Sequence, residues 1–177
     1  NVNFTGAFRS CGLTSFPVLD VSNGTNFYTA FYNYQGTTFP VLDFTNGTNF
    51  GYGWATSTNL TAVPVGTTFP SGTTFVAAWE SCTSLVDFPA GAFDTLGTPL
   101  DSCFAGAWVL CTSLSAQSVD NILDSIHASG KSAPSTGPNI AISYDTGTGT
   151  PDYLTAAALT TKGWNIVANS VVITTAT

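Results

Sequence analysis

The apolar residues of this chain recur in a regular pattern, and the clearest copy lies between Phe75 and Pro89. Within it, apolar residues follow one another at steps of three, one and three, the spacing of one face of about two helical turns. They are Phe75, Ala78, Trp79 and Cys82. Leu85 and Phe88 then continue at steps of three, and Pro89 ends the pattern because a helix interior does not tolerate proline. The pattern predicts a helical turn or two followed by a short strand.

The same aromatic pair, with its members four residues apart, occurs five times. Successive first members are 23, 23, 25 and 29 residues apart, and the second members keep these steps. We number the units one to five from the pairs Phe4/Phe8, Phe27/Phe31, Phe50/Trp54, Phe75/Trp79 and Phe104/Trp108. Such repeats are typical of solenoids, in which each unit buries its apolar face against its neighbours. We therefore predict an α/β solenoid of about five 23–29-residue units over residues 1–114, with its short strands stacked into a parallel sheet.

The links between units carry turn signals. Asn23-Gly24 and Asn46-Gly47 are typical of turns that require positive φ. Thr25 or Asn26, and likewise Thr48 or Asn49, are predicted to cap the helical turn that begins at the next aromatic residue. Residues 1–4 are predicted to cap unit one, since an open end of a solenoid exposes apolar surface and strand edges.

Residues 115–177 follow a different pattern and are predicted to form a C-terminal helix and capping segment of the same domain. Ser115–Ser129 is the longest helical candidate, with serine available as the N-cap and Gly130 after its end. Its apolar stripe consists of Val119, Ile122, Leu123 and Ile126. A strand at Ile140–Tyr144, a helix at Tyr153–Thr161 and two further apolar runs, residues 164–168 and 171–173, complete the prediction.

At Cys82-x-x-Leu85-x-x-Phe88 the unit resembles a leucine-rich repeat. The aromatic flank and the tracts Leu13-Thr-Ser-Phe-Pro17 and Cys82-Thr-Ser-Leu85 are similar to the BspA-type branch of that family. This resemblance covers about Phe4–Leu123 and implies a leucine-rich-repeat-like fold. It also implies a location on a bacterial surface or a phage appendage. Units two and three depart from the pattern at Tyr34, Gly36 and Ser57, so we expect their core to be packed differently.

Composition narrows the choice of partner. Only 7% of the 177 residues are charged, and the formal net charge is −7. Because the only basic residues are Arg9, Lys131 and Lys162, we expect no nucleic-acid partner. No apolar run approaches the ~20 residues of a membrane span, so we expect no membrane insertion. An extracellular location, on a virion or a cell surface, suits a chain whose polar residues are mostly neutral.

The four cysteines follow no metal-binding spacing. Cys11, Cys82 and Cys111 occupy one column of the repeat, where small buried residues are expected. A disulfide between Cys82 and Cys111 is one alternative, and one between Cys103 and Cys111 is another.

Candidate catalytic groups are few. Asp120, Asp124 and His127 share the polar face of the predicted C-terminal helix, where they could hold a cation or act as acid and base, or form a solvated face. Asp20 and Asp43 are repeat-equivalent, and a role in turns accounts for them better than glycoside cleavage does. We expect no catalytic residues, no metal, no cofactor and no enzymatic activity.

Tyrosines are concentrated in units two and three, and exposed tyrosine rings stack on sugars and anchor protein interfaces. The candidate ligand-binding residues are Tyr28, Tyr32, Tyr34 and Tyr52. The sequence favours a recognition or adhesion module that binds a cell-surface glycan or protein receptor. The alternative is a structural decoration or assembly protein whose solenoid face is buried by neighbouring subunits.

Overall fold

The computed structural model describes residues 1–134 and 140–175. Residues 135–139 and 176–177, which belong to the predicted capping segment, lie outside the described residues. Strand β1 (Val2–Asn3) pairs in parallel with β2 (Gly24–Asn26). The later elements are α1 (Ala116–Ala128), β3 (Ile140–Ile142), a 3-10 helix (Thr146–Thr148), α2 (Ala156–Thr161), β4 (Ile166–Ala168) and β5 (Val171–Ile173). No helix in the described part of the chain is long and apolar enough to cross a membrane.

Each aromatic pair lies in a run of successive turns, not in the predicted helical turns. In unit two, the N–H groups of Ala30, Tyr32 and Tyr34 donate to carbonyl oxygens three residues earlier, at 3.0, 3.3 and 3.1 Å. Alternate residues donate to the next unit instead, as from Thr29 to the carbonyl of Gly51 at 2.9 Å. The helical prediction is wrong here, because apolar steps of three and four residues also fit consecutive turns. We call these runs the turn segments: Phe4–Ser10, Phe27–Asn33, Phe50–Thr56, Phe75–Ser81 and Phe104–Leu110.

The third and seventh residues of every turn segment have positive φ. In a type II turn, the third of the four residues has positive φ. Most of these residues are not glycine, and the left-handed region costs such residues about 1–2 kcal/mol each. In units one to four their N–H groups donate to the following unit, so hydrogen bonds along the stack offset this strain. The residues are Gly6, Ser10, Thr29, Asn33, Tyr52, Thr56, Ala77, Ser81, Gly106 and Leu110.

The paired aromatic residues form two columns of stacked rings through the core. In the first column, Phe27 and Phe50 have ring centroids 5.3 Å apart with an interplanar angle of 3°. In the second, Trp54 and Trp79 are 5.6 Å apart, also at 3°. Phe69 packs edge-on against both columns and is fully buried. These contacts place successive units in register, as stacked repeats require; the solenoid and its leucine-rich-repeat resemblance stay predictions.

Pairing between strands is sparse in the repeat region. Outside β1 and β2, the described residues before α1 show isolated parallel bridges, for example between Asn26 and Asn49 and between Asn49 and Thr74. The Oδ1 atoms of Asn26 and Asn49 each accept the N–H two residues later at 3.0 Å. Asn26 and Asn49 thus bond to the start of the following aromatic segment, but the helical turn that they were predicted to cap is absent and they cap a turn instead. In the described residues before α1, the predicted parallel sheet is present only as the β1–β2 pair and these isolated bridges.

The two Asn-Gly turns form, because the N–H groups of Gly24 and Gly47 donate to the carbonyls three residues earlier at 2.7 and 2.9 Å, but the predicted positive φ is wrong. Gly24, Gly47 and Gly72 lie three residues before a first-column ring, and their φ values are not positive. A Cβ on Gly24 would overlap the Cζ of Phe27, and the other two are covered in the same way by the ring three residues later. Glycine is required here because the phenylalanine ring folds back over the backbone.

We expect Gly72→Ala to lower the free energy of unfolding by about 1–3 kcal/mol, as overpacking of a core does. The new Cβ would lie 2.7 Å from Cε2 of Phe75 and 3.2 Å from the carbonyl oxygen of Phe69, and Phe75 is held between rings on both sides. Chemical denaturation followed by circular dichroism measures this loss. Because the clash is with the ring, Gly72→Ala should cost clearly less in a Phe75→Leu background. An equal cost in both backgrounds would contradict the packing explanation.

The three residues that depart from the repeat pattern in units two and three, Tyr34, Gly36 and Ser57, contact one another in the core. The Tyr34 ring fills the space that the leucine of the repeat pattern, Leu85 in unit four, would otherwise take. A Cβ on Gly36 would overlap the hydroxyl oxygen of Tyr34. That hydroxyl donates to the carbonyl of Thr38 at 2.9 Å. Ser57 replaces the column cysteine, and its Oγ accepts the Tyr34 N–H at 3.0 Å. The expectation that this part of the core is packed differently is confirmed.

The C-terminal helix is confirmed within one residue at each end. The Ser115 side chain accepts the N–H of Ser118, and Gly130 adopts a φ of 73° after the last turn. The predicted stripe of Val119, Ile122, Leu123 and Ile126 is fully buried.

Two buried serines of α1 form hydrogen bonds with the backbone of unit four. Oγ of Ser118 accepts the N–H of Phe88 at 2.9 Å, and Oγ of Ser125 accepts the N–H of Phe93 at 2.6 Å. One unit earlier, the equivalent N–H groups, those of Val63 and Phe69, donate to backbone carbonyls of the next unit. The helix therefore replaces the carbonyls that a further unit would supply.

The rest of the segment covers unit five. Strand β3 pairs in parallel with β4, and β4 pairs antiparallel with β5. The predicted strand at Ile140–Tyr144 is confirmed over its first three residues, and the two further apolar runs, to which the sequence assigned no element, contain β4 and β5. Trp108 bridges to Ile142, and the Trp164 ring lies 5.9 Å from that of Phe104. Helix α2 begins at Ala156, three residues later than predicted.

Candidate functional site

Three of the four candidate tyrosines lie at the surface of units two and three. Tyr28 is 41% exposed, and its ring contacts that of Tyr52 edge-on, with centroids 5.9 Å apart. Tyr32 is half-buried, and the Arg9 guanidinium lies 5.0 Å from its ring centroid. Tyr28 and Tyr32 occupy equivalent positions, each one residue after a core ring. We call Tyr28, Tyr32 and Tyr52 the tyrosine patch.

Glycine makes room for this patch. A Cβ on Gly51 would lie 3.1 Å from Cδ2 of Tyr28, so the Tyr28 ring lies over the backbone of unit three. The N–H groups of Thr29 and Tyr52 donate to the carbonyls of Gly51 and Val76 at 2.9 and 2.8 Å. The backbone beneath the rings is therefore fixed by hydrogen bonds between units. The sequence signal for this arrangement is a glycine directly after Phe50, where unit two has Tyr28.

Tyr34 does not belong to the patch. It is 4% exposed, and its ring meets that of Phe16 edge-on at 5.3 Å. Burial raises the pKa of its hydroxyl. A ligand at the surface cannot reach this side chain, so we remove it from the candidate binding residues. The sequence signal was present, because Tyr34 stands in the column that holds the buried cysteines.

The described cysteines are all free thiols, and three of them are buried. The Sγ atoms of Cys82 and Cys111 donate to the carbonyls of Trp54 and Trp79 at 3.1 and 3.0 Å. The interpretation as small buried core residues is therefore correct for Cys82 and Cys111 and wrong for Cys11, which is exposed, and neither disulfide is present. Burial raises the pKa of Cys103 and of Cys111 to about 12, and raises that of Cys82 well above its usual value.

We expect a thiol reagent at pH 8 to modify Cys11 alone in the folded protein. Cys11 is exposed, whereas the other three thiols are buried and un-ionised at this pH. Buried thiols should react at least about 100-fold more slowly, since they react only through opening of the structure. Mass spectrometry of timed samples measures this, with urea-unfolded protein as the control that should take up four labels. Rapid uptake of more than one label by folded protein would contradict the packing described here.

The carboxylates of α1 hold the segment before α2. Oδ1 and Oδ2 of Asp120 accept the N–H groups of Tyr153 and Asp152 at 3.0 and 2.9 Å, and Asp124 accepts the Thr155 hydroxyl at 3.1 Å. Burial raises the pKa of Asp120 despite these bonds. The Nδ1 atom of His127 is buried and has no hydrogen-bond partner among the described residues. In residues 1–134 and 140–175 no three His, Cys, Asp or Glu side chains are close enough to hold a metal.

The repeat-equivalent aspartates have the role in turns that the sequence favoured. Oδ1 of Asp20 accepts both the hydroxyl and the N–H of Ser22, at 2.7 and 3.2 Å, and these bonds lower the pKa of Asp20. Asp43 accepts the N–H of Thr45 at 2.9 Å, and its pKa is lowered in the same way. Both carboxylates thus form hydrogen bonds within local turns.

An apolar edge runs beside these aspartates. Val18, Val41 and Val65 each follow a proline of the repeat, and they are 75%, 46% and 88% exposed. An open groove of about 630 Å³ lies between the first two valines and their aspartates, and another of about 490 Å³ lies between Val65 and α1. We call Val18, Val41 and Val65 the valine edge.

Comparisons of the chain with protein-family models, with curated proteins and with solved structures find no match.

Proposed function

We propose that this protein is a non-enzymatic recognition module with a leucine-rich-repeat-like solenoid architecture. It is displayed on a virion or cell surface, as part of a phage appendage or a bacterial surface protein. Through the tyrosine patch it binds a cell-surface glycan or protein receptor, without nucleic acid and without membrane insertion. One observation carries the proposal: Tyr28, which is 41% exposed, and Tyr52, which is half-buried, come from adjacent units, and their rings contact each other edge-on.

Tyrosine suits such a site because its ring offers apolar surface while its hydroxyl stays wet. It also has few rotatable bonds, so little side-chain entropy is lost on binding. Arg9 adds a guanidinium beside Tyr32, in a chain with three basic residues. A ligand that stacks on the rings and accepts hydrogen bonds from Arg9 would therefore be recognised. Sugars, which combine apolar C–H faces with hydroxyl groups, have this chemistry.

The test is binding of the whole chain to an array of cell-envelope glycans, beside Tyr28→Ala, Tyr32→Ala and Tyr52→Ala. We expect saturable binding that falls about tenfold or more in each variant, a loss of ~1.4 kcal/mol. Leu154→Ala is the matched control, because Leu154 is 72% exposed and lies in the C-terminal segment. Binding that persists in all three tyrosine variants would contradict the proposed site. A well-folded chain that binds no glycan would remove the glycan branch of the proposal.

The valine edge favours a second candidate function, the structural one. Contiguous exposed apolar surface is typical of contacts between proteins. A decoration or assembly protein would bury Val18, Val41 and Val65 against neighbouring subunits. Sedimentation of the chain at rising concentration tests this. If the chain self-associates, if Val65→Asp abolishes this association, and if the chain binds no glycan on the array, the structural role is favoured over recognition.

A further inference from the structure

Arg9 places a positive charge beside the tyrosine patch, and no carboxylate of the described chain pairs with it. Its side chain is exposed, and its guanidinium lies 5.0 Å from the ring centroid of Tyr32. Apart from this ring contact, the guanidinium makes no hydrogen bond or ion pair with residues 1–134 and 140–175. Arginine stays protonated in proteins and carries five N–H donors in one plane. The patch therefore has a full positive charge beside it whose donors are free.

The repeat position of Arg9 leaves long side chains accessible at the side of the stack. It is the sixth position of the turn segments, which holds Arg9, Tyr32, Ala55, Glu80 and Val109. Tyr32 and Glu80 each have a unit of the stack on either side, and both are only half-buried. The short Ala55 is 1% exposed. Stacking of units thus buries a short side chain at this position, while a long one still reaches solvent.

Few carboxylates belong to the part of the chain that forms the patch. All acidic residues except Asp20 and Asp43 lie at or after Glu80, and these two accept hydrogen bonds within their own turns. In the repeat position of Arg9 the first carboxylate is that of Glu80, three units away. Successive core rings over these units are more than 5 Å apart at each step. The total separation exceeds the screening length of about 8 Å at physiological ionic strength, so Glu80 does not neutralise Arg9.

We propose that the ligand of the tyrosine patch is an acidic glycan, whose anionic group pairs with the Arg9 guanidinium while its sugar rings stack on the tyrosines. This inference rests on the proposed glycan binding and names the class of glycan. A carboxylate or a phosphate presents two oxygens that the planar guanidinium binds at once. The Tyr32 ring attracts the guanidinium and so holds it in place before the ligand arrives. Less side-chain entropy is then lost on binding.

The test compares acidic oligosaccharides with their own neutral forms, so that only the charge differs. The probes are oligosaccharides of glucuronic, galacturonic and sialic acid, each beside its carboxyl-reduced form, and phosphorylated mannose oligosaccharides beside the dephosphorylated ones. Dissociation constants are measured for the whole chain and for Arg9→Gln and Arg9→Lys. Lys131→Gln is the matched control, because it removes the same charge from the C-terminal segment. Circular dichroism checks that every variant is folded.

We expect at least one acidic oligosaccharide to bind about tenfold or more tightly than its neutral form, as one hydrogen bond between charged groups allows. Arg9→Gln should remove this preference and leave binding of the neutral form within about twofold. Arg9→Lys should keep part of the preference, because an ammonium group retains the charge but not the planar set of donors. Lys131→Gln should bind as the unsubstituted chain does. Dependence on Arg9 for the carboxylated or the phosphorylated probes identifies which anionic group is recognised.

Equal binding of the acidic and neutral forms would overturn this inference and leave the proposed glycan binding intact. An equal loss in Arg9→Gln and Lys131→Gln would also overturn it, since net charge and not a site would then attract the anion. If the folded chain binds none of the oligosaccharides in either form, while the glycan array shows binding to other, neutral glycans, the acidic class alone is wrong. If the array is negative as well, the proposed glycan binding fails together with this inference.

Discussion

Replacing Trp79 with alanine lowers the free energy of unfolding by about 3–5 kcal/mol, the largest effect that we expect from one substitution. The Trp79 indole is fully buried, and it stacks at 5.6 Å on Trp54 and at 5.6 Å on Trp108. Phe88 meets it edge-on at 5.0 Å. Rings fixed on all sides cannot collapse into the space that the indole leaves, so most of the cavity stays open. Urea denaturation followed by tryptophan fluorescence and circular dichroism measures the loss.

The cost is one of packing alone. Nε1 of Trp79 is buried and has no hydrogen-bond partner among the described residues, so its removal breaks no hydrogen bond. Trp79→Phe, which keeps a stacked ring, should therefore cost less than half as much as Trp79→Ala. Phe8→Ala is the matched control from the same column, because Phe8, in unit one, is only half-buried. A cost for Phe8→Ala equal to that for Trp79→Ala would show that burial in the stack does not govern the stability of this column.

The register of the repeats could be predicted from the sequence, because it depends on a local pattern that each unit carries. Phe27 and Phe50, or Trp54 and Trp79, stack one above the other as their spacing implies. The local backbone could not be predicted in the same way. Apolar residues three and four apart lie on one face of a helix, but they also lie on one side of consecutive turns. The choice depends on hydrogen bonds to the next unit, such as that from Thr29 to Gly51, which no single unit contains.

The packing of aromatic rings against the backbone accounts for the other differences. Gly24 was expected to have positive φ because Asn-Gly is a turn signal; the turn forms without it, and the Phe27 ring is what excludes a side chain there. Tyr34 looked like its neighbours in the tyrosine-rich region, and its burial follows from the space beside Gly36. By contrast, the helix at residues 115–129 was predicted closely, because its cap, its stripe and its final glycine are all local signals.

The candidate site was predicted in part for the same reason. The concentration of tyrosines in units two and three identified the candidates, and Tyr28, one residue after the core ring of Phe27, is 41% exposed. The contact between Tyr28 and Tyr52 depends on Gly51, a position whose meaning appears only when units two and three are stacked. The repeat therefore indicates which side chains lie outside, and packing between units determines which of them meet.

The double substitution Ser118→Ala and Ser125→Ala should lower the free energy of unfolding by about 2–5 kcal/mol, because each change leaves a buried backbone N–H without an acceptor. The two N–H groups are those of Phe88 and Phe93, and both serine side chains are 2% exposed. Alanine is the better helix former, so helix propensity alone predicts the opposite sign, a small gain in stability. The sign of the change therefore separates the two effects. Thermal and urea unfolding of the single and double variants measure it.

Gln117→Ala is the control on the same helix, since Gln117 is exposed and, among the described residues, its side chain bonds only to Asn121, one turn later. We expect this change to leave stability within about 0.5 kcal/mol. If α1 replaces the carbonyls of a further unit, as the bonds to Phe88 and Phe93 indicate, the double variant loses stability and the control does not. If the double variant is as stable as the unsubstituted chain, the buried apolar stripe alone holds the helix. The serines would then have no part in ending the stack of repeats.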